Sequence, residues 1–332
     1  MTKKIVIAHR GACGYLPEHS MEAKAMAHAM NSDYIEQDIV MTKDNHLVVL
    51  HDHYLDGVTN VADIFPARAR KDGRFYVIDF TLSEIKSLRM TEAFITPEQA
   101  IYSDRFPLWH CYFQIHTLAE EIELIQGLNK SRTKNIGIYP EIKAPAFHRF
   151  EGKDISVALL KVLKQYGYHQ KSDSVFLQCF DPNELKRIKH QLFNLMGMQL
   201  KLVQLIPETE WQETCFYVNG EAINYDYGWM LESGAMKMIS SYADAIGPWF
   251  PRIIDPSSSR HNIVVTSLVK QAHQYKLQVH PFTFRRDKGE VPNYVDTFEE
   301  LLNMFYFKAD VDGLFTDFPD IAVALLSKHD CG

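Results

Sequence analysis

The chain has 332 residues, 46% of them hydrophobic and 23% charged, with a formal net charge of −7 at pH 7. That balance is typical of a globular protein with a substantial core, and the negative charge argues against nucleic acid as a partner. No apolar run approaches the roughly 18 residues needed to cross a bilayer, so no transmembrane segment is expected.

The start, Met1-Thr2-Lys3-Lys4 and then Ile5-Val6-Ile7-Ala8, imitates the basic end of a signal peptide. Its apolar stretch is too short for one and runs straight into His9-Arg10, so it reads as a strand. Seven further β-rich runs follow, at 34–38, 136–142, 175–180, 202–206, 245–249, 277–281 and 313–316. Most are nearly continuous apolar segments, the pattern of parallel strands buried on both faces. Helical patterns separate them. Ser20 caps one over 21–31, with Ala25, Met26, Ala29 and Met30 as its apolar stripe. Thr117 and Glu120 form a capping box ahead of Leu118, Ile122 and Ile125, and Asp181-Pro182 opens another helix. Further patterns cover 155–166, 263–275, 297–305 and 319–326.

Strand and helix alternating in this way predict a (β/α)₈ TIM barrel in one domain. A doubly wound open sheet is the alternative, but its glycine-rich nucleotide fingerprint is absent. Two stretches break the alternation. Residues 40–51 read as a hairpin that returns His51 to the barrel mouth. Residues 53–116 are too long for a plain loop and predict a small inserted subdomain at the strand-end face. Its Phe106 and Trp109 are read either as an apolar wall or as plain packing. Residues 207–229 form a further mouth loop. The five cysteines, Cys13, Cys111, Cys179, Cys215 and Cys331, are odd in number and widely spaced. That speaks against a zinc site or a disulfide framework, and Cys179 reads as a buried thiol.

The strand ends carry the polar groups. His9-Arg10-Gly11 ends the first, Glu36-Gln37-Asp38 the second, His51-Asp52 the hairpin, and Glu141-Ile142-Lys143 the third. Alternation along a strand puts Glu36 with Asp38, and Glu141 with Lys143, on one side. Three converging carboxylates call for a hard divalent cation, Ca²⁺ or Mg²⁺, on Glu36, Asp38 and Glu141. Structural ion pairs with Arg10 or Lys143 are the alternative. His9 and His51, facing each other across this cluster, can supply one acid and one base. His28, His190 and His273 fall on helices and look solvent-facing. Arg10 and Lys143 suit phosphate oxygens, or else balance the carboxylates.

These motifs, in this order, resemble the glycerophosphodiester phosphodiesterases, most closely the bacterial periplasmic members. Leu177-Gln178-Cys179-Phe180, His280-Pro281-Phe282-Thr283 and the run Asp312-Gly313-Leu314-Phe315-Thr316-Asp317-Phe318-Pro319 extend the resemblance. It implies cleavage of a small glycerophosphodiester to glycerol 3-phosphate and an alcohol, with His9 and His51 catalytic and Glu36, Asp38 and Glu141 on the metal. Gln178, Phe180 and Phe282 are candidate rim residues. Glu18-His19-Ser20 departs from the family's Glu-Asn-Thr, and Glu18 stays open between a rim contact and a helix-end charge. A phospholipase D-like enzyme on intact lipids would need an apolar rim, and no amphipathic basic helix supplies one. A non-catalytic binding barrel would not need the whole set of histidines and carboxylates. The resemblance implies the periplasm, whereas the missing leader and odd cysteine count point to the cytoplasm.

Overall fold

The computed structural model describes residues 3–330; Met1, Thr2, Cys331 and Gly332 lie outside the described residues, and with them part of the basic start and one of the five cysteines. Parallel strands Ile5–Ala8, Tyr34–Met41, Gly137–Ile142, Phe176–Cys179, Lys201–Ile206, Ala245–Pro248, Gln278–Val279 and Gly313–Thr316 pair in chain order, with the eighth beside the first. The seventh and eighth are joined by backbone bonds from Asp312 N to Val279 O at 3.0 Å, Phe315 N to Pro281 O at 3.0 Å and Phe284 N to Phe315 O at 2.8 Å. The sheet is therefore closed into a barrel, and the open doubly wound alternative falls. The seventh strand is short where Pro281 has no amide hydrogen to donate.

Side-chain alternation turns this closure into a layered interior. Ile7, Tyr139, Phe176, Val203, Ala245 and Phe315 pack together inside the barrel. Two residues further along their strands come His9, Glu141, Gln178, Leu205, Gly247 and Asp317, one layer nearer the C-terminal mouth. A packed apolar floor thus lies directly beneath a polar layer. Gly137 is needed in this floor, because a Cβ there would lie 2.4 Å from the Tyr34 ring.

Several caps form where the side chains dictate. Ser20 accepts from Ala23 N to start Met21–Ala29, and Thr117 and Glu120 make the full capping box of Leu118–Arg132. The buried face of the first helix is not the expected stripe. Ala23, Lys24, Ala27 and His28 point inward, while Ala25, Met26 and Met30 are half-buried and Ala29 is exposed. Polar partners on other elements allow it. Lys24 Nζ lies 3.1 Å from Glu121 Oε1 and donates to the Glu36 carbonyl. His28, expected in solvent, is buried, with Nε2 3.0 Å from Asn129 Oδ1 and Nδ1 2.7 Å from Arg132 Nη1. His190 is exposed, and His273 is half-buried beside Asp312. The helix expected over 263–275 forms only at Leu268–Gln274. The β-branched run Ile263-Val264-Val265-Thr266 stays out of it, with Val265 bridging antiparallel to Ile254.

Hairpin pairing of Ile39, Val40 and Met41 with Val49, Val48 and Leu47 carries the second strand out and back. The following segment, 53–116, builds a hydrophobic cluster of its own from Leu55, Phe75, Phe80, Ile85, Met90 and Phe113 on the hairpin's Val40, Val48 and Leu50. Residues 207–229 contain an antiparallel pair, Cys215–Val218 with Glu221–Asn224. Cys13 and Cys179 are buried thiols.

Lys24 and Glu121 are both fully buried, and each neutralises the other. Lys24→Met leaves Glu121 charged without its counter-ion and is expected to destabilise the fold by about 3–5 kcal/mol. The double variant Lys24→Met/Glu121→Leu should recover much of that loss in urea unfolding. Equal stability of Lys24→Met and wild type would show that the pair contributes little.

Candidate active site

The register of the second, third and fourth strands sets the site. Asp38 lies opposite Glu141, and Glu141 opposite Gln178, so three polar side chains stand in one row at the mouth. They line a cavity of about 170 Å³ together with Glu36, His9, Arg10, His51 and Lys143. Residues drawn from five segments of the sequence thus meet in one place. Glu36 and Asp38 are almost wholly buried, at 2% and 1% exposure, and Glu141 is at 6%.

Each group is held from a different direction. The chain turns at Arg10, whose φ is +55°, so that its backbone N–H donates to Glu36 Oε2 at 2.6 Å. Gly11 follows with φ +96°; a Cβ there would lie 2.9 Å from the Ala23 carbonyl carbon, so glycine lets the first helix approach. Arg10 Nη1 pairs with Glu18 Oε2 at 2.5 Å, and its Nε lies 3.7 Å from Asp38 Oδ2. Glu18 therefore does not line the cavity; it is the counter-ion that orients Arg10. Asp38 Oδ2 also meets His19 Nε2 at 2.9 Å, and His19 Nδ1 lies 3.2 Å from Lys24 Nζ. Behind them Glu121 takes Gln37 Nε2 at 2.8 Å and His116 Nε2 at 2.7 Å. The helix-borne Lys24 is thus tied to the carboxylate site through the Glu36 carbonyl and His19.

Lys143 Nζ is 2.9 Å from Glu141 Oε1, 3.9 Å from Asp38 Oδ1 and 3.8 Å from Glu213 Oε2. His9 Nδ1 is 2.7 Å from Asp317 Oδ1. Burial, helped by Arg10, lowers the His9 pKa to about 4 against the pull of Asp317. Burial pushes Asp317 up, but Arg285, His9 and Arg105 hold it well below the usual carboxylate range. His51 is more open, with a side chain 30% exposed and Nδ1 2.9 Å from Asp52 Oδ1.

One wall is apolar. Phe180 and Phe282 meet edge to face at 5.9 Å, Trp211 meets Trp249 at 5.1 Å, and Lys143 lies 5.6 Å over the Phe180 ring. The sequence marked Phe180, Phe282 and Gln178 for this rim, but not Trp211, Trp249, Glu213 or Arg285. Trp211 and Glu213 come from the irregular stretch 207–229, where no periodicity marks an inward residue. Phe106 and Trp109 take the packing alternative. Phe106 meets Phe113 at 5.4 Å and Trp109 meets Phe94 at 5.5 Å, away from the cavity. Asp317 enters the sequence reading only inside the run 312–319 that extends the resemblance, with no role of its own.

The donor set suits a hard cation: Glu36 and Asp38 offer oxygens within 4.8 Å of each other, beside His19, and Glu141 lines the same cavity. Three carboxylates share one buried pocket, and burial, reinforced by Asp38, pushes Glu36 well above its ordinary range. Glu141 is pushed up to about 8 by burial and by Asp38 and Glu213, although Lys143 opposes this. Gln178 Oε1 and Arg10 Nε, also at the cavity, are buried with no hydrogen-bond partner in the protein.

A carboxyl whose proton is held more tightly in the folded state loses stability as pH rises from its unfolded value towards its folded one. For Glu141 that window runs from about 4.5 to about 8. In chelator, Glu141→Gln should therefore gain thermal stability relative to wild type as pH rises through it. A difference in Tm that does not change with pH would remove the charge-crowding account.

The chain matches the Glycerophosphoryl diester phosphodiesterase family over residues 9–321. It is 55% identical over 328 residues to a glycerophosphodiester phosphodiesterase of Haemophilus influenzae, covering 97% of this chain and 90% of the relative. A Treponema pallidum relative of the same description is 42% identical, covering 98% and 93%. Among solved structures, it is similar to an Oleispira antarctica phosphodiesterase in complex with the product sn-glycerol-3-phosphate. That match has a TM-score of 0.62 at 18% identity and covers 97% of this chain and 96% of that one. A glycerophosphodiester phosphodiesterase from Thermotoga maritima has a TM-score of 0.56 at 16% identity, covering 98% and 99%. Barrel, strand-end motifs and relatives agree, and this chain belongs to the glycerophosphoryl diester phosphodiesterase family.

Proposed function

We propose that this enzyme hydrolyses small glycerophosphodiesters to glycerol 3-phosphate and an alcohol, using His9 and His51 as an acid–base pair. The observation that carries this reading is the single cavity in which both histidines, three carboxylates and two cationic side chains meet. Glu36, Asp38 and Glu141 would hold one divalent cation, Ca²⁺ or Mg²⁺, which when bound neutralises phosphoryl oxygens and lowers the pKa of the attacking hydroxyl.

The remaining chemistry belongs to side chains of this chain. Arg10 and Lys143 draw the phosphate oxygens into the polar layer, Arg10 through its fork and Lys143 as a point charge. Asp317 accepts a hydrogen bond from the His9 Nδ1–H, which leaves Nε2 as the imidazole's proton acceptor. Because burial keeps His9 neutral, it enters the reaction as the proton acceptor from the attacking hydroxyl, whether water or the diester's own glycerol hydroxyl. His51, more open and beside Asp52, returns a proton to the departing alkoxide. Phe180, Phe282, Trp211 and Trp249 exclude water from one side of the reacting phosphate. The inserted segment 53–116 forms a lobe over the mouth, a reading supported by its contacts with the loops after the first, seventh and eighth strands.

His9→Ala and His51→Ala should each lower kcat on glycerophosphocholine by about 10²–10⁴-fold, with smaller changes in KM. The double variant should lose far less than the product of the two, since both groups act in one transition state. On a diester with a p-nitrophenolate leaving group, which needs little protonation, His51→Ala should regain most of its rate and His9→Ala should not. Near-full activity of either variant on glycerophosphocholine would remove that residue from the mechanism. Chelation and Glu141→Gln should each abolish most activity while the circular dichroism spectrum stays that of a folded barrel. Full activity after exhaustive chelation would overturn the metal assignment.

A further inference from the structure

Arg105 belongs to the inserted segment and does not line the cavity, yet its side chain is only 5% exposed. Its guanidinium forms a fork with Asp287, Nε to Oδ1 at 2.9 Å and Nη2 to Oδ2 at 2.7 Å. Nη2 also donates to Asp317 Oδ2 at 2.5 Å, and Nη1 to the Cys13 carbonyl at 3.3 Å. One side chain thus joins three barrel connections, those after the first, seventh and eighth strands. Tyr102, from the same segment, lies under Arg105 with its ring centroid 4.1 Å from the guanidinium carbon and bonds Glu290 at 3.0 Å.

The contact with Asp317 is the informative one. A clamp holding the inserted segment against the barrel is complete with Asp287, Glu290 and the Cys13 carbonyl. Asp317 faces the other way: its second oxygen holds His9 Nδ1 at 2.7 Å. Arg285 Nε, at 3.0 Å, shares the Arg105 side of the carboxylate. Two guanidinium groups on Oδ2 fix the carboxylate plane, and that plane directs Oδ1 at the imidazole. With only Arg285 in place the carboxylate loses one of its two guanidinium partners on Oδ2, and its hold on the His9 ring is correspondingly looser.

We propose that Arg105 is a positioning residue that acts on His9 through Asp317, so that docking of the inserted segment sets the aim of the acid–base pair. The inference rests on the reading of His9 as an acid–base group. It makes the segment part of the catalytic geometry, although the segment contributes no atom to the reaction.

The test is steady-state kinetics of the metal-loaded enzyme on glycerophosphocholine, comparing Arg105→Gln with wild type and again in a His9→Ala background. Arg105→Gln should lower kcat by roughly 10–100-fold, by analogy with the partners that orient metal-bound histidines from behind. KM should change little. In the His9→Ala background the same substitution should cost less than about threefold, because the group it positions is gone. Arg105→Lys, which keeps the charge but not the fork, should recover part of the rate. An equal loss in both backgrounds would mean that Arg105 only holds the lobe, and would overturn the proposal; so would full activity of Arg105→Gln. Should Arg105→Gln fail to fold, Asp287→Asn loosens the fork while sparing Asp317. It should give a smaller loss with the same dependence on His9, and an equal loss in both backgrounds again overturns the idea. A fully active His9→Ala would sink both readings together, whereas an impaired His9→Ala with an additive Arg105→Gln sinks this one alone.

Discussion

Three carboxylates stand side by side at the mouth of a barrel whose floor is packed with apolar rings, and this crowding shapes much of the molecule. Two like charges about 4 Å apart repel by roughly 4 kcal/mol at an effective dielectric near 20. The fold does not avoid that cost, because the strand register puts Asp38 opposite Glu141 and pleating puts Glu36 on the same side. It offsets the cost with cations at the rim, Arg10 and Lys143, and with Lys24 from behind. The uncompensated remainder of negative charge is what suits the cluster to the proposed divalent cation.

The supports run outward from that cluster. His19 holds Asp38, Lys24 links His19 to the Glu36 carbonyl, and Glu121 gathers Lys24, Gln37 and His116. These groups are nearly all fully buried, so each needs its partner and none can be exchanged singly at low cost. The result is a hydrogen-bonded backing for carboxylates that would otherwise move apart under their own repulsion. The two histidines are treated differently. His9 is buried, locked by Asp317 and kept neutral; His51 sits at the rim beside Asp52 with room to exchange a proton. These different surroundings of two chemically identical side chains are what the proposed division into an acceptor and a donor rests on.

Much of this was readable in the order of the residues. Continuous apolar runs alternating with capped helical patterns specify parallel strands and crossover helices, and the local chemistry of Ser20, Thr117-Glu120 and Asp181-Pro182 placed helix starts correctly. His9, Arg10, Glu36, Asp38, His51, Glu141 and Lys143 could be selected because each ends a strand, and strand ends in this architecture meet at one face. The first helix departs from its apolar stripe for an equally local reason. Apolar periodicity takes a lysine or a histidine as an outward residue, whereas Lys24 and His28 face inward because Glu121, Asn129 and Arg132 wait for them about a hundred residues later.

The sequence by itself determined which residues form strands, where several helices begin, and which polar groups gather at the barrel mouth, since these follow from side-chain periodicity and capping over a few neighbours. Only the tertiary structure decided the register of adjacent strands, the aromatic wall of Trp211 and Trp249, and the reach of Arg105 to Asp317. Those depend on loops whose path no period encodes, and on buried charges whose partners are close in space and far apart in the chain.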